Sequence, residues 1–555
     1  MSSTAQKTVN TAGYGFAFIL LLLVFIIAVL FLIPGSSLFG VSSVEGRQSY
    51  TTYSAATNSD VADLLTCRNI IIESRSIDVE IRVRKAGQLD EGSIQVWDNS
   101  SGLTFNSIKR TQIEWEQVII ENELGVGEVF YKLIISEPSG IISRNARVYI
   151  NYQMNVMASS QADAYNFVLN TGSGNVYFTS DNIADENYTY YWLNVGTITV
   201  GNSTGKISFP KPKKAHDFYV NVGNIVVKGD NANVDNDGAT VEGDVEVSGD
   251  NVKLSLGDVE GDLNIDAKSG TISVGAVNGN VNIKGNISFT QRGGVVSGNV
   301  EFRGDSGKVD INGCDELFVE TKNAVVNVRQ KCSRVTFTAT ENGKIYVGQI
   351  GDSVRLASLG SYTEDTPYDS TIKVRWGSVD LRNVWCDVSV DMGDGSAGLR
   401  VDFASAIDIV SGTRFPRLKT RAYDSVSTVN NICGEIDMFI RANGKGTVAA
   451  DFRQVYGSSN IKYEGSTRPS TTSGNVKVTF VVNIAYCFLV VEHNASGRNY
   501  GANVVTAPNN DVVSSNGGVL ENNGSIYHVN KDGGSVTGTL TVNTSNSLSV
   551  YSRAA

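Results

Sequence analysis

The sequence predicts an all-β protein: a parallel β-solenoid of about 18 residues per coil, with a membrane-proximal β domain and one N-terminal transmembrane helix. Three observations lead there. A triplet with apolar outer positions returns as Val245-Glu-Val247, Leu263-Asn-Ile265, Val281-Asn-Ile283, Val300-Glu-Phe302, Leu317-Phe-Val319, Val335-Thr-Phe337, Val354-Arg-Leu356, Ile372-Lys-Val374 and Val388-Ser-Val390. The steps are 18, 18, 19, 17, 18, 19, 18 and 16 residues. Residues i and i+2 of a strand point to one face, so each triplet offers two apolar side chains to one interior. A second triplet follows about nine residues later, at Leu254-Ser-Leu256, Ile272-Ser-Val274, Val309-Asp-Ile311, Val326-Asn-Val328 and Ile345-Tyr-Val347. Gly-Asp and Gly-Asn steps separate the triplets, and these residues tolerate the backbone of a sharp corner. A fixed period near twenty residues marks stacked coils, because one coil alone cannot bury its apolar face. A sandwich of hairpins also alternates, but its turns rarely keep one length through nine cycles.

Taken from the amino terminus, residues 1–15 form a short tail with Lys7 as its one basic residue. Phe16 to Ile33 is an unbroken apolar run ended by Pro34 and Gly35. As a helix it spans about 27 Å, close to the bilayer's hydrocarbon core. It is long for the apolar part of a secretory signal peptide and lacks the usual basic flank. A transmembrane helix over 16–34 is therefore expected, with the tail in the cytoplasm and the bulk of the chain outside it. Residues 35–66 read as a juxtamembrane stalk of small and hydroxyl side chains. Long alternating runs over 67–160 predict a β-rich, antiparallel domain or cap, which would protect an open strand edge. The solenoid is placed at 161–410, and a less regular β-rich continuation at 411–555. The apolar run from Phe480 to Val491 is too short to span a bilayer and reads as a buried strand.

At 555 residues the chain has room for several domains. Its net charge of −11 argues against a nucleic-acid partner, and the one basic clump, Pro210 to Lys214, fits a solvated corner loop.

The stretches Leu169 to Phe178 (LNTGSGNVYF), Ser297 to Phe302 (SGNVEF), Ser473 to Val478 (SGNVKV) and the closing TSNSLSV resemble the adhesin-type domain-of-unknown-function family, glycine-rich parallel β-solenoids. The resemblance covers about residues 165–555 and rests on short motifs. It implies a solenoid preceded by a membrane anchor and, less directly, adhesion.

Chemistry is sparse. Polysaccharide-active β-helices need clustered carboxylates beside His, Arg or Lys. His216, His493 and His528 all lie outside the regular repeats. Arg417-Leu-Lys419 matches a fragment of the galacturonase pattern without its companion elements, and Asp387, Asp391 and Asp394 read as turn residues. The sequence contains no HExxH, phosphate-loop or CxxC pattern. One calcium loop is a candidate: Asn233, Asp235, Asp237 and Asp244 space oxygen ligands around Gly238, although the first and last positions depart from the usual Asp and Glu. Otherwise no cofactor is expected. Cys314 and Cys332 each stand three residues before an inward triplet, so they should stack on adjacent coils, about 4.8 Å apart, within reach of a disulfide. Asn-x-Ser/Thr sites at Asn99, Asn187, Asn202, Asn286, Asn494, Asn523 and Asn543 permit glycosylation.

The expected function is non-catalytic: a membrane-anchored ectodomain in adhesion or surface assembly, with the lipid bilayer and protein or glycan surfaces as partners. The alternatives are a polysaccharide-active enzyme and a cytoplasmic, membrane-tethered scaffold that polymerises.

Overall fold

Short strands paired mostly in parallel make up the computed structural model of the chain, and only two short helices, Ser59–Thr66 and Ser353–Ser358, interrupt them among the described residues. The structure describes residues 37–38, 41–44, 48–84, 92–121, 125–153, 164–180, 191–201, 204–210, 218–236, 239–363, 365–393, 395, 397–404, 414–423 and 426–430, and, further on, the strands between 436 and 552. The apolar run Phe16 to Ile33 lies outside the described residues, among which no helix is long and apolar enough to cross a membrane. The chain divides into two compact units, 1–258 and 259–555.

In the second unit the ladders keep the period of the sequence. Leu263 pairs with Val281, Val281 with Val300, and Val300 with Leu317. The companion triplets pair likewise, Ile272 with Phe289, Phe289 with Val309, and Val309 with Val326. All these side chains are buried. A third contact column runs through the bridges Val259 to Val277 and Val277 to Val296. The extended segment Cys314–Ile350 has 37 residues, and its Cys314 and Cys332 touch although they are 18 residues apart. A straight strand would separate them by about 60 Å, so the segment has come round onto itself once.

The Gly-Asp and Gly-Asn corners have a specific task. Asp262 Oδ1 accepts from the amide of Asn280 at 2.7 Å, Asn280 Oδ1 from the amide of Asn299 at 3.0 Å, and Asn299 Oδ1 from the amide of Glu316 at 3.2 Å. Each corner side chain thus satisfies an amide of the next repeat where the strand ladder breaks. The glycine before Asn280 is needed for close approach: a Cβ on Gly279 would lie 2.5 Å from the carbonyl oxygen of Gly261.

One triplet departs from expectation. Val354-Arg-Leu356 lies in the helix Ser353–Ser358, capped by Asp352, whose side chain accepts from the amide of Arg355 at 2.8 Å. Leu356 is buried but Val354 is exposed. The ladder bypasses this excursion, and Phe337 pairs directly with Ile372. Beyond it the steps loosen, as in Val390 to Thr420 and Thr420 to Met438. The run Phe480 to Val491 falls on two strands, Val476–Val481 and Phe488–His493, rather than on one.

In the first unit two parallel ladders have longer steps. Phe167 pairs with Ile198, Ile198 with Ile225 and Ile225 with Val245; in the companion ladder Val176 pairs with Ile207, Ile207 with Val234 and Val234 with Leu254. Wider repeats need bulkier filling, and Tyr165, Phe167, Phe178 and Phe209 supply it. The rings of Phe178 and Phe209 stack at 4.6 Å. At their early ends the ladders change sense. Asn69–Glu73 pairs in parallel with Gly127–Ser136, which turns back antiparallel against Gln112–Glu121. Asp78–Arg84 pairs in parallel with Ala146–Gln153, followed by the antiparallel strands Ser93–Asp98 and Ser49–Ser54. The predicted cap is therefore mixed rather than antiparallel. Residues 49–66, expected in a stalk, are folded: Ser49–Ser54 extends this sheet, and Val61, Leu64 and Leu65 of the helix are buried. The physical reason is local. Asn58 caps the helix by accepting from the amides of Asp60 and Val61, and the helix lays one apolar face inward.

Candidate functional site

The outer face of the early sheet in the first unit carries a concave site. In Asp78–Arg84, Ser93–Asp98 and Ala146–Gln153 the inward positions Val79, Ile81, Ile94, Val96, Val148 and Ile150 are buried, so alternate residues face out. Register aligns four of these in one row: Tyr50 opposite Trp97, Trp97 opposite Arg147, and Arg147 beside Asp78. Tyr149 stands two residues along from Arg147 on the same face. With Gln48, Ser76, Arg144 and Asn145 these residues line a groove of about 580 Å³.

Charge in the groove is matched. Arg147 donates to Glu80 at 3.1 Å and lies 3.5 Å from Asp78; Arg144 lies 3.0 Å from Glu137. Arg82 donates to Glu80 at 2.7 Å, and its guanidinium lies over the Tyr149 ring at 3.8 Å. Burial alone would raise the Glu80 carboxyl, but hydrogen bonds from Arg82 and Thr179 hold it below the usual carboxylate range. The two arginines that line the groove are therefore held in ion pairs.

The residues singled out in the sequence fall at separate places. Cys314 and Cys332 meet as expected of stacked neighbours, their Sγ atoms 3.3 Å apart, buried and unbonded. The contact between them, together with burial, pushes the Cys314 thiol up from its ordinary value. Asn233 and Asp235 share the outer face of the strand Asn233–Asn236, which is extended where a calcium loop would wrap. Asp235 pairs with Lys206 at 2.6 Å, and Asp244 sits exposed at a later corner. Asp237 and Gly238 lie outside the described residues, among which no group of three or more His, Cys, Asp or Glu is gathered. Asn286 is exposed with its Oδ1 accepting from the amide of Ser306, whereas Asn99 is half-buried. Asn187, Asn202, Asn494, Asn523 and Asn543 lie outside the described residues.

Asp387 and Arg417, weighed apart in the sequence, are partners. Asp387 is 1% exposed and accepts four hydrogen bonds at 2.9 Å, two from the Arg414 guanidinium and two from the Arg417 amide and Nε. Arg417 also lies over the rings of Tyr362 and Tyr368 and donates to the carbonyls of Thr363 and Thr366. A carboxylate with its lone pairs so occupied positions two loops and is poorly placed to move a proton. Asp391, as expected of a turn residue, accepts from the amide of Gly393.

Sequence reasoning missed the groove, because its residues come from four separated segments and carry no motif spacing. No family model, curated protein or solved structure matches the chain.

Proposed function

We propose that the chain is a membrane-anchored β-solenoid working without catalysis, in adhesion or as an assembly subunit at a membrane surface. Phe16 to Ile33 is its anchor, and the bulk of the chain stands outside the cytoplasm. The observation that carries this reading is the parallel ladder of 17-, 18- and 19-residue steps, with its buried apolar columns and its Asp–Asn–Asn corner chain. Such stacking devotes inward positions to cohesion and leaves the outward positions of every repeat free to vary, which suits display of surface rather than assembly of one reactive centre. The mixed strands at the early end support it, since they cover edges that would otherwise recruit other chains.

The test is protease applied to intact cells. Digestion of the bulk, with a membrane-bound fragment holding the first residues, is the expected result. Full protection until the cells are lysed would overturn the topology and favour the cytoplasmic scaffold.

A further inference from the structure

The groove over Tyr50, Trp97, Tyr149, Arg144, Arg147 and Asp78 has the chemistry of a sugar platform, and we propose that it binds a neutral oligosaccharide. A pyranose ring offers an apolar C–H face and a rim of hydroxyls. The face stacks on aromatic rings; the rim needs planar side chains that present donors and acceptors side by side.

Both halves are on this face. Tyr50 and Trp97 lie directly opposite one another on antiparallel strands, which starts their side chains about 5 Å apart. Tyr50 is 60% exposed. Tyr152 and Tyr165 of the same unit, by contrast, are covered. Beside the rings stand the amides of Gln48 and Asn145, the carboxylate of Asp78 and the guanidinium edges of Arg144 and Arg147. Arg82 braces the Tyr149 ring, and the ion pairs brace the arginines, so little order remains to be imposed when a ligand arrives. The volume, about 580 Å³, falls in the range of small-ligand clefts, about 300–1,000 Å³.

The charge balance selects the ligand. Arg144 and Arg147 line the groove together with Asp78, and Glu137 and Glu80, beyond the lining, pair with them, so each guanidinium is held in an ion pair. An anionic glycan would lose water around its charge and find every guanidinium already engaged. Neutral hydroxyls lose less and can share the outer edges of these groups.

This ligand class rests on the adhesive reading for its use in the cell, but its test is independent of topology. The full chain is purified in a detergent without a sugar headgroup and titrated calorimetrically with cellohexaose, laminarihexaose and mannohexaose, and with trigalacturonate as the acidic control. At least one neutral sugar should bind with a micromolar to millimolar Kd, and Tyr50→Ala should weaken it about tenfold at an unchanged unfolding temperature. Asn145→Ala, at an exposed position, should weaken it as well. Failure of all three neutral sugars, tighter binding of trigalacturonate, or unchanged binding in Tyr50→Ala would overturn the proposal. A cytoplasmic result in the protease experiment would instead remove the adhesive use and leave sugar binding intact.

Discussion

Val281→Asp tests the register at its centre. Val281 is fully buried, with Leu263 and Val300 beside it in the ladder, both buried as well. Losing the isopropyl group forfeits about 2 kcal/mol of burial. An aspartate there has no water, so its pKa rises by about three units or more, and protonating it at pH 7 costs about 4 kcal/mol. A neutral carboxyl without a partner adds about 1–3 kcal/mol. The total, about 7–9 kcal/mol, rivals the whole stability of a typical domain. Asn282→Asp is the control. Its side chain faces outward and loses one hydrogen bond, from Asn282 Nδ2 to Asn264 Oδ1 at 2.8 Å, worth about 1 kcal/mol. Hydrogen exchange of the peptides spanning 259–303, read by mass spectrometry in both variants, should show protection lost in the first and kept in the second. The deficit of Val281→Asp should also shrink by about 4 kcal/mol between pH 7 and pH 4, because the raised group binds its proton in the folded state first. Equal protection in the two variants, or a deficit indifferent to pH, would refute the register.

Two further outcomes follow from buried groups. Asp98 is 1% exposed; burial would raise its carboxyl, but the amides of Thr111 at 2.6 Å and Ser100 at 2.8 Å hold it below the usual range. Its contribution is therefore full above about pH 4 and lost as pH falls through the depressed folded value, so Asp98→Asn should cost about 2–3 kcal/mol at pH 7 and flatten the acid limb of urea unfolding in the first unit; an unchanged limb would count against this. For Cys314 and Cys332, peptide mapping of protein alkylated in native membranes without reduction should yield a linked peptide, and reducing it should lower stability by about 3 kcal/mol; recovery of both thiols alkylated would defeat the bond and weaken the extracytoplasmic placement.

The period was legible because a strand alternates faces with every residue: once Leu263, Val281, Val300 and Leu317 must all point inward, their spacing admits one register. The corner residues were legible for the same reason, since Gly with Asp or Asn recurs where the chain must turn. A three-residue pattern, however, does not distinguish strand from helix. Val354-Arg-Leu356 fits both, and the Asp352 cap together with the direct pairing of Phe337 and Ile372 decided for the helix. The stalk misread has a similar origin, for a strand such as Ser49–Ser54 shows little apolar alternation and is held by its pairing with Ser93–Asp98. The groove and the Asp387–Arg417 clamp were invisible for a stronger reason. Tyr50, Trp97, Arg147 and Asp78 become neighbours only through two antiparallel pairings and one parallel pairing, and Asp387 meets Arg417 only when two loops close. Repetition along the chain determined which residues face inward, while chemistry on the outer faces depends on contacts between distant segments, and those exist only after the strands have paired.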